Sequence, residues 1–184
     1  VVGGHLTQCK GFIYGDSHYS PQMVIVLSGH QEVYYPDYHD IYDAGQIWWT
    51  SCWEPHVHQI TDDHLSYVAV TISLESIGSF VPFQEIDWLQ PFFLPPEKRP
   101  KPDSDLLRRQ IIQLGNEILQ LEQEKPLGFQ TMQWLKIHEV ILHGALMLKH
   151  TLRRGHPPRR SGIIRILPAI QLVKSKLGQV ISLE

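Results

Sequence analysis

Between residues 23 and 72 the chain is cut into short apolar or alternating runs by turn residues, and this punctuation limits the fold more than any other feature. The run 23–27 (MVIVL) is continuously apolar and stops at Ser28-Gly29. Residues 31–35 alternate and stop at Pro36-Asp37, and the short run 41–42 meets Asp43-Ala44-Gly45. Residues 47–52 follow, then 57–60 with a polar turn at Thr61-Asp62-Asp63, then the strongly β-branched run 66–72. Long helices do not fit between such signals. Short strands with turns about every eight to twelve residues predict a small antiparallel barrel or sandwich over residues 1–75.

Within it, residues 45–58 (GQIWWTSCWEPHVH) hold three of the five Trp, one of the two Cys and two of the eleven His. Side chains on a strand alternate, so His56 and His58 point the same way. Alternation also puts Trp49, Ser51 and Trp53 on one face, and Trp48, Thr50 and Cys52 on the other. With His56 inward, Trp48, Cys52 and His58 join it, and Trp48 becomes the ring placed to stack on a ligand. Such a stretch serves equally as a ligand wall, a metal strand or aromatic core. Glu54 reads as a surface strand charge or a pocket residue, and Tyr14, Tyr34 and Tyr67 are further hydroxyl sources. Strand geometry argues against a Cys52–His56 nucleophile pair, since four strand residues span about 13 Å. His138 and His143, five apart on a helix, are poorly spaced for a metal.

Residues 76–102 change character. Phe80, Phe83, Trp88, Phe92 and Phe93 lie among Pro82, Pro91, Pro95, Pro96, Pro100 and Pro102. Proline this dense suits neither a central strand nor a continuing helix, so an irregular arm pinned by its aromatics is expected, with 95–102 as an exposed linker. Asp103, Ser104 and Asp105 then start a helix. In it Leu107, Ile111, Leu114, Ile118 and Leu121 recur as a narrow seam. Pro126 and Gly128 break the pattern. A second helix runs over 129–152, with Trp134, Ile137, Ile141, Ala145, Leu148 and Leu152 on one stripe, giving an antiparallel hairpin. Two roles stand open for the seam: covering the barrel, or meeting its copy in a homodimer. A basic Pro/Gly linker (153–162) and a third helix ending at Gly178 follow, with Pro168 in its first turn. Ser182 reads as the N-cap of a helix lying beyond Glu184.

The 184 residues are 42% hydrophobic and 19% charged, enough for a sizeable core. No apolar run approaches the roughly 18 residues of a membrane span, and no signal peptide is evident, so a cytoplasmic protein with no membrane partner is expected. Cys9 and Cys52 fit no spaced framework; reduced thiols are expected, with a single disulfide the alternative. Charge is divided unevenly. Residues 1–148 carry 8 Lys/Arg against 18 Asp/Glu, whereas 149–184 carry 8 against one. A basic tail on an acidic body suits either a nucleic-acid-facing segment or a linker over an acidic domain.

Two segments resemble one family. Residues 165–184 (RILPAIQLVKSKLGQVISLE) resemble the first helix of the AraC/XylS-type DNA-binding domain and the Ser-Leu-Glu-like cap that follows it. The front half resembles the cupin-type sensor that precedes that domain: 23–29 looks like its hairpin, and 43–58, including Trp53-Glu54-Pro55-His56, like its second motif. The resemblance implies an α+β chain, with a cupin-like antiparallel β-barrel (jelly roll) followed by an antiparallel helical pair. It divides the chain into a ligand-sensing barrel with its arm (1–102), a dimerising hairpin (103–153), and a basic linker with the first helix of a helix-turn-helix domain (154–184). It implies a transcription regulator that binds a small-molecule effector through Trp48, His56, His58, His18 and Glu54, dimerises through Leu107–Leu121, and contacts DNA through a further C-terminal domain. No catalytic residue or resident cofactor is expected.

Catalytic cupins of the same fold carry a divalent metal. Their spacing falls here on Asp16, His18, Gln22 and His56, with His58 as a spare. Asp stands where His is usual and Gln where Glu is usual, which weakens the set as a transition-metal site. The alternative function is therefore a metal-dependent cupin enzyme acting on a small sugar or acid.

Overall fold

A computed structural model describes residues 6–8, 11, 13–61, 63–73, 87–152, 169 and 172. Its strands are β1 (Leu6–Gln8), β2 (Ile13–Asp16), β3 (Gln22–Ser28), β4 (His30–Tyr35), β5 (Tyr38–Asp43), β6 (Ile47–Thr50), β7 (His56–Ile60) and β8 (Leu65–Thr71). They form two four-stranded antiparallel sheets, ordered β1-β8-β3-β6 and β2-β7-β4-β5. Apart from the β4–β5 hairpin, each strand leads to the opposite sheet. That interleaving is the eight-stranded jelly roll.

The first sheet is covered on both faces. Val24, Val26 and Trp48 turn inward to a core with Val33, Tyr42, Ile60 and Tyr67. Met23, Ile25, Leu27, Ile47 and Trp49 turn outward to a second core shared with the helices. This explains the unbroken apolar run in β3, whose residues 23–27 are all buried. The outer face of the second sheet is open, with Ile41 and Val57 exposed, and β4 accordingly alternates.

The arm is more ordered than its prolines suggest. Pro91 lies in the first turn of a short helix, α1 (Gln90–Phe93), where its missing N–H costs little, and Phe92 is fully buried against Trp49. A 3-10 turn follows at Pro96–Lys98. Ser104 caps α2 (Asp105–Glu124) by accepting from Leu107 N at 3.3 Å. Lys125, left-handed at φ 44°, ends it, and α3 (Phe129–Leu152) returns across it. The bonds Gln133–Glu122 and Lys136–Glu117 run in opposite senses along the two helices, which are therefore antiparallel.

Two expectations are corrected here. The seam does not face a second subunit: Ile111, Leu114, Ile118 and Leu121 are buried within the chain and Leu107 is partly so. Four of the five pack with Met23, Ile25, Leu27 and the rest of the helix-facing core. Heptad-like spacing specifies an apolar stripe, and the sheet supplies its cover. The barrel and the helical pair thus share one core across the expected boundary at 102/103.

Nor is 95–102 an exposed linker. Arg99 is 8% exposed, and Pro100 and Pro102 are buried. The Arg99 guanidinium donates to Trp49 O at 2.6 Å, Leu94 O at 2.9 Å and Glu54 Oε1 at 2.7 Å, and lies 5.1 Å from the Tyr35 ring centroid. Lys101 pairs with Asp40 and sits 4.1 Å over the Tyr42 ring. A buried cation is tolerated when paired and fully hydrogen-bonded, and two of its partners here, Trp49 and Glu54, lie far upstream in sequence. Cys9, residues 76–86, the linker 153–162, most of the third helix and the Ser182 cap lie outside the described residues. Among the described residues no helix is long and apolar enough to cross a membrane.

Gly45 is where the barrel meets α2. Its φ is +80°, and a Cβ there would stand 2.6 Å from Arg108 Cβ and 2.8 Å from Arg108 Cα. Gly45→Ala is expected to lower stability by about 2–4 kcal/mol in urea melts; an unchanged midpoint would contradict this contact. Arg99→Met, which strands Glu54, is expected to cost roughly 3 kcal/mol, with partial recovery when Glu54→Gln is added. A combined loss smaller than that of Arg99→Met alone would support the pairing, whereas additive losses would refute it.

Candidate functional site

The mouth of the jelly roll lies where β2 ends, β6 gives way to a turn and β7 begins. Pairing of β2 with β7 sets Asp16 opposite His56 and Tyr14 opposite His58. His18 follows two residues after Asp16, and its ring stands edge-on to His56 with centroids 5.2 Å apart. Trp48 faces both β7 histidines, at 5.7 Å from His56 and 5.9 Å from His58. The alternation read along 48–58 thus places these three together. Cys52 departs from it, because β6 stops at Thr50 and residues 52–53 form a turn.

Hydrogen bonds fix two of the three imidazoles. His18 Nδ1 lies 2.5 Å from Ser20 O and His56 Nδ1 lies 3.0 Å from Glu54 O. A carbonyl only accepts, so each Nδ1 carries a proton and each ring's Nε2 is left for a further partner. The Nε2 of His18 and the Nδ1 of His58 are buried without a hydrogen-bond partner among the described residues. Burial holds the His56 imidazole below its usual range. It pushes His58 further, to about 4, helped by the neighbouring His56. Burial therefore keeps the His56 and His58 imidazoles neutral near neutral pH.

The metal set expected from the fold family does not assemble. Asp16 Oδ1 accepts from Ser17 N at 2.7 Å, and Gln22 Nε2 donates to Thr71 Oγ1 at 3.2 Å. Among the described residues no three His, Cys, Asp or Glu side chains converge as metal ligands. Asp16, His18, Gln22 and His56 thus offer two imidazoles and no closed donor set, which does not fit a resident transition metal.

Two further expectations change. Trp48 is 1% exposed, and its Nε1 donates to Gln31 Oε1 at 2.9 Å, so it fills the barrel interior and offers no open face to a ligand. Glu54 is committed on both oxygens, Oε1 to Arg99 and Oε2 to Ser51 N at 2.9 Å, and clamps the turn to the arm. Among the helix histidines, His138 is buried and bonded to Trp134 O, while His143 is half-buried.

Sequence reasoning missed Tyr19 and Trp53. Both are exposed at the mouth, with ring centroids 6.4 Å apart, and Trp53 N donates to His18 O at 2.7 Å. Trp53 takes φ 58°, and nothing in an aromatic-rich run announces a left-handed turn. A separate depression of about 380 Å³ is lined by Gly15, Asp16, Tyr34, Pro55, His56 and Val57 among others.

A histidine held neutral by burial binds fewer protons folded than unfolded. Stability contributed by His58 is complete above the unfolded value of 6.5 and is lost as pH falls toward 4. Wild type should therefore lose on the order of 2–3 kcal/mol from this residue between pH 6.5 and 4, and His58→Gln should flatten that part of the profile. Parallel profiles for the two proteins would refute the assignment.

Neither protein-family models nor curated proteins match the chain. Solved structures are similar at low level. A cupin superfamily protein from Desulfitobacterium hafniense DCB-2 is 8% identical, covering 38% of this chain and 64% of that one, with a TM-score of 0.35. A cupin-2 domain protein from Shewanella frigidimarina is 13% identical, covering 37% and 67%, at 0.33. An oxalate decarboxylase variant from Bacillus subtilis is 22% identical, covering 46% and 24%, at 0.36. The chain thus spans about two thirds of the two small cupins and a quarter of the decarboxylase. These likenesses stand beside the strand order and say nothing of activity. By its own topology this is an α+β chain, a cupin-type jelly roll followed by helices.

Proposed function

We propose that the chain is the effector-sensing part of a transcription regulator of the AraC type, a binding module and not an enzyme. The observation that carries this reading is the strand β6. On it Trp48 faces the mouth histidines, while its neighbour Trp49 packs on Phe92 and bonds Pro100 O at 3.1 Å. A Cβ on Gly144 of α3 would stand 2.8 Å from the Trp49 ring, so helix and indole are in close contact. A molecule that shifts β7 against Trp48 therefore acts on the same rigid strand that seats the arm and the helical pair. Such coupling needs no chemistry at the mouth, only different affinity for two positions of that strand. The resemblance of residues 165–184 to a DNA-binding domain and the basic balance after residue 149 support DNA as the output. The seam inside α2 is unavailable for pairing, so any homodimer on this reading uses another surface.

Chromatin immunoprecipitation of a tagged chromosomal copy is expected to recover a discrete set of DNA sites. Recovery at background alone would sink the regulator reading. Hydrogen exchange in the presence of an effector should slow in residues 129–152 as well as in β2 and β7; protection confined to the barrel would sink the coupling.

A further inference from the structure

We infer that the chain forms an antiparallel homodimer through the outer face of α3, a second apolar seam that its own fold leaves uncovered. The partner is a second copy of this chain, and the pairing stands whether or not the regulator reading holds.

α3 is apolar on two opposite sides. One side, with Ile137, Val140, Ile141, Ala145 and Leu148, is buried within the chain. On the other, Met132, Leu135, Glu139, Leu142 and Leu146 recur at steps of three, four, three and four, the spacing of a helix–helix seam. Met132 is 44% exposed, Leu135 52% and Leu146 37%, and Leu142 is half-buried. The neighbouring helix carries no such stripe: from residue 109 onward every exposed position of α2 is Arg, Gln, Asn or Glu. A helix apolar on opposite sides calls for cover on both.

The two ends of the helical pair complement each other. At the turn between the helices Leu127 is fully exposed. Toward the far end of α3 a hollow of about 610 Å³ is lined by Lys98, Lys101, Asp103, Leu107, Leu146 and Met147 among others. Residues 98–109 carry five Lys/Arg against two Asp, and residues 117–125 carry three Glu against one Lys. Ion pairs within the chain occupy Arg99, Lys101, Glu117 and Glu122 and leave each end its sign. Antiparallel pairing brings the unlike ends together. With Met132 of one copy level with Leu142 of the other, Leu127 falls level with Met147 and enters that hollow, twice per dimer as two-fold symmetry requires. Glu139 then lies level with Leu135, and the two Glu139 carboxylates are about 6 Å out of step along the axis. Parallel pairing would set Glu139 against Glu139 and put like-charged ends side by side.

Sedimentation equilibrium on residues 1–184 is expected to give twice the chain mass. Leu135→Glu, at an exposed position and with an unchanged circular dichroism spectrum, should weaken the dimer about a hundredfold, and Glu139→Leu should tighten it about tenfold. With Cys9 and Cys52 replaced by Ser, a mixture of Leu127→Cys and Met147→Cys copies should form a mixed disulfide on mild oxidation, while neither variant should cross-link alone. A monomer at every concentration overturns the inference, as does a dimer that Leu135→Glu leaves unchanged. Disulfides between two Leu127→Cys copies overturn the antiparallel pairing. A monomer in which chemical cross-links join the α3 stripe to residues 153–184 assigns the face to the chain's own tail and likewise overturns it. The regulator reading is judged separately, by the recovered DNA sites.

Discussion

Two adjacent tryptophans on a strand buried on both faces hold this structure together. Trp48 belongs to the core between the sheets and Trp49 to the core under the helices, and both are at most 1% exposed. A strand with both faces covered cannot slip by one residue without exchanging its two cores, so its register is strongly fixed. The arm is then fastened to it by polar groups. Trp49 O accepts from Arg99 and from the Tyr35 hydroxyl, and Trp49 Nε1 donates to Pro100 O. Burial of the Tyr35 phenol raises its pKa well above the ordinary range, so it stays a donor throughout the working pH range.

This arrangement gives the turn after β6 several duties. Glu54 closes it by accepting from Ser51 N and holds the arm through Arg99, while its backbone oxygen orients His56. Trp53 in the same turn anchors the His18 backbone and displays its ring outward. Four consecutive functions, closing the turn, seating the arm, orienting an imidazole and presenting an indole, therefore fall within residues 51–56. The positive φ at Trp53 is the conformational cost of packing them into so few residues.

Among the described residues the mouth gathers three histidines without a closed set of metal ligands. Both His18 and His56 have their protons fixed on Nδ1 by backbone carbonyls, an arrangement that orients metal-ligating imidazoles in general. Asp16 and Gln22 are diverted to Ser17 and Thr71. The burial that keeps His56 and His58 neutral lowers the local positive charge.

The sequence by itself determined the strand runs, the turns between them, the two long helices α2 and α3 with the Ser104 cap of α2, and the inward placement of Trp48, His56 and His58. Each follows from a local period or a turn residue, and local periods are legible in a linear chain. It also determined that the α2 seam is buried, but not beneath what, because a stripe of apolar residues looks the same under a sheet as against a second copy. Only the tertiary structure decided that Arg99 is interior, that Glu54 serves it, that Trp48 is sealed and that Trp53 is displayed. Those outcomes depend on partners some 45–50 residues away and on one left-handed backbone angle, and neither leaves a periodic trace in the sequence.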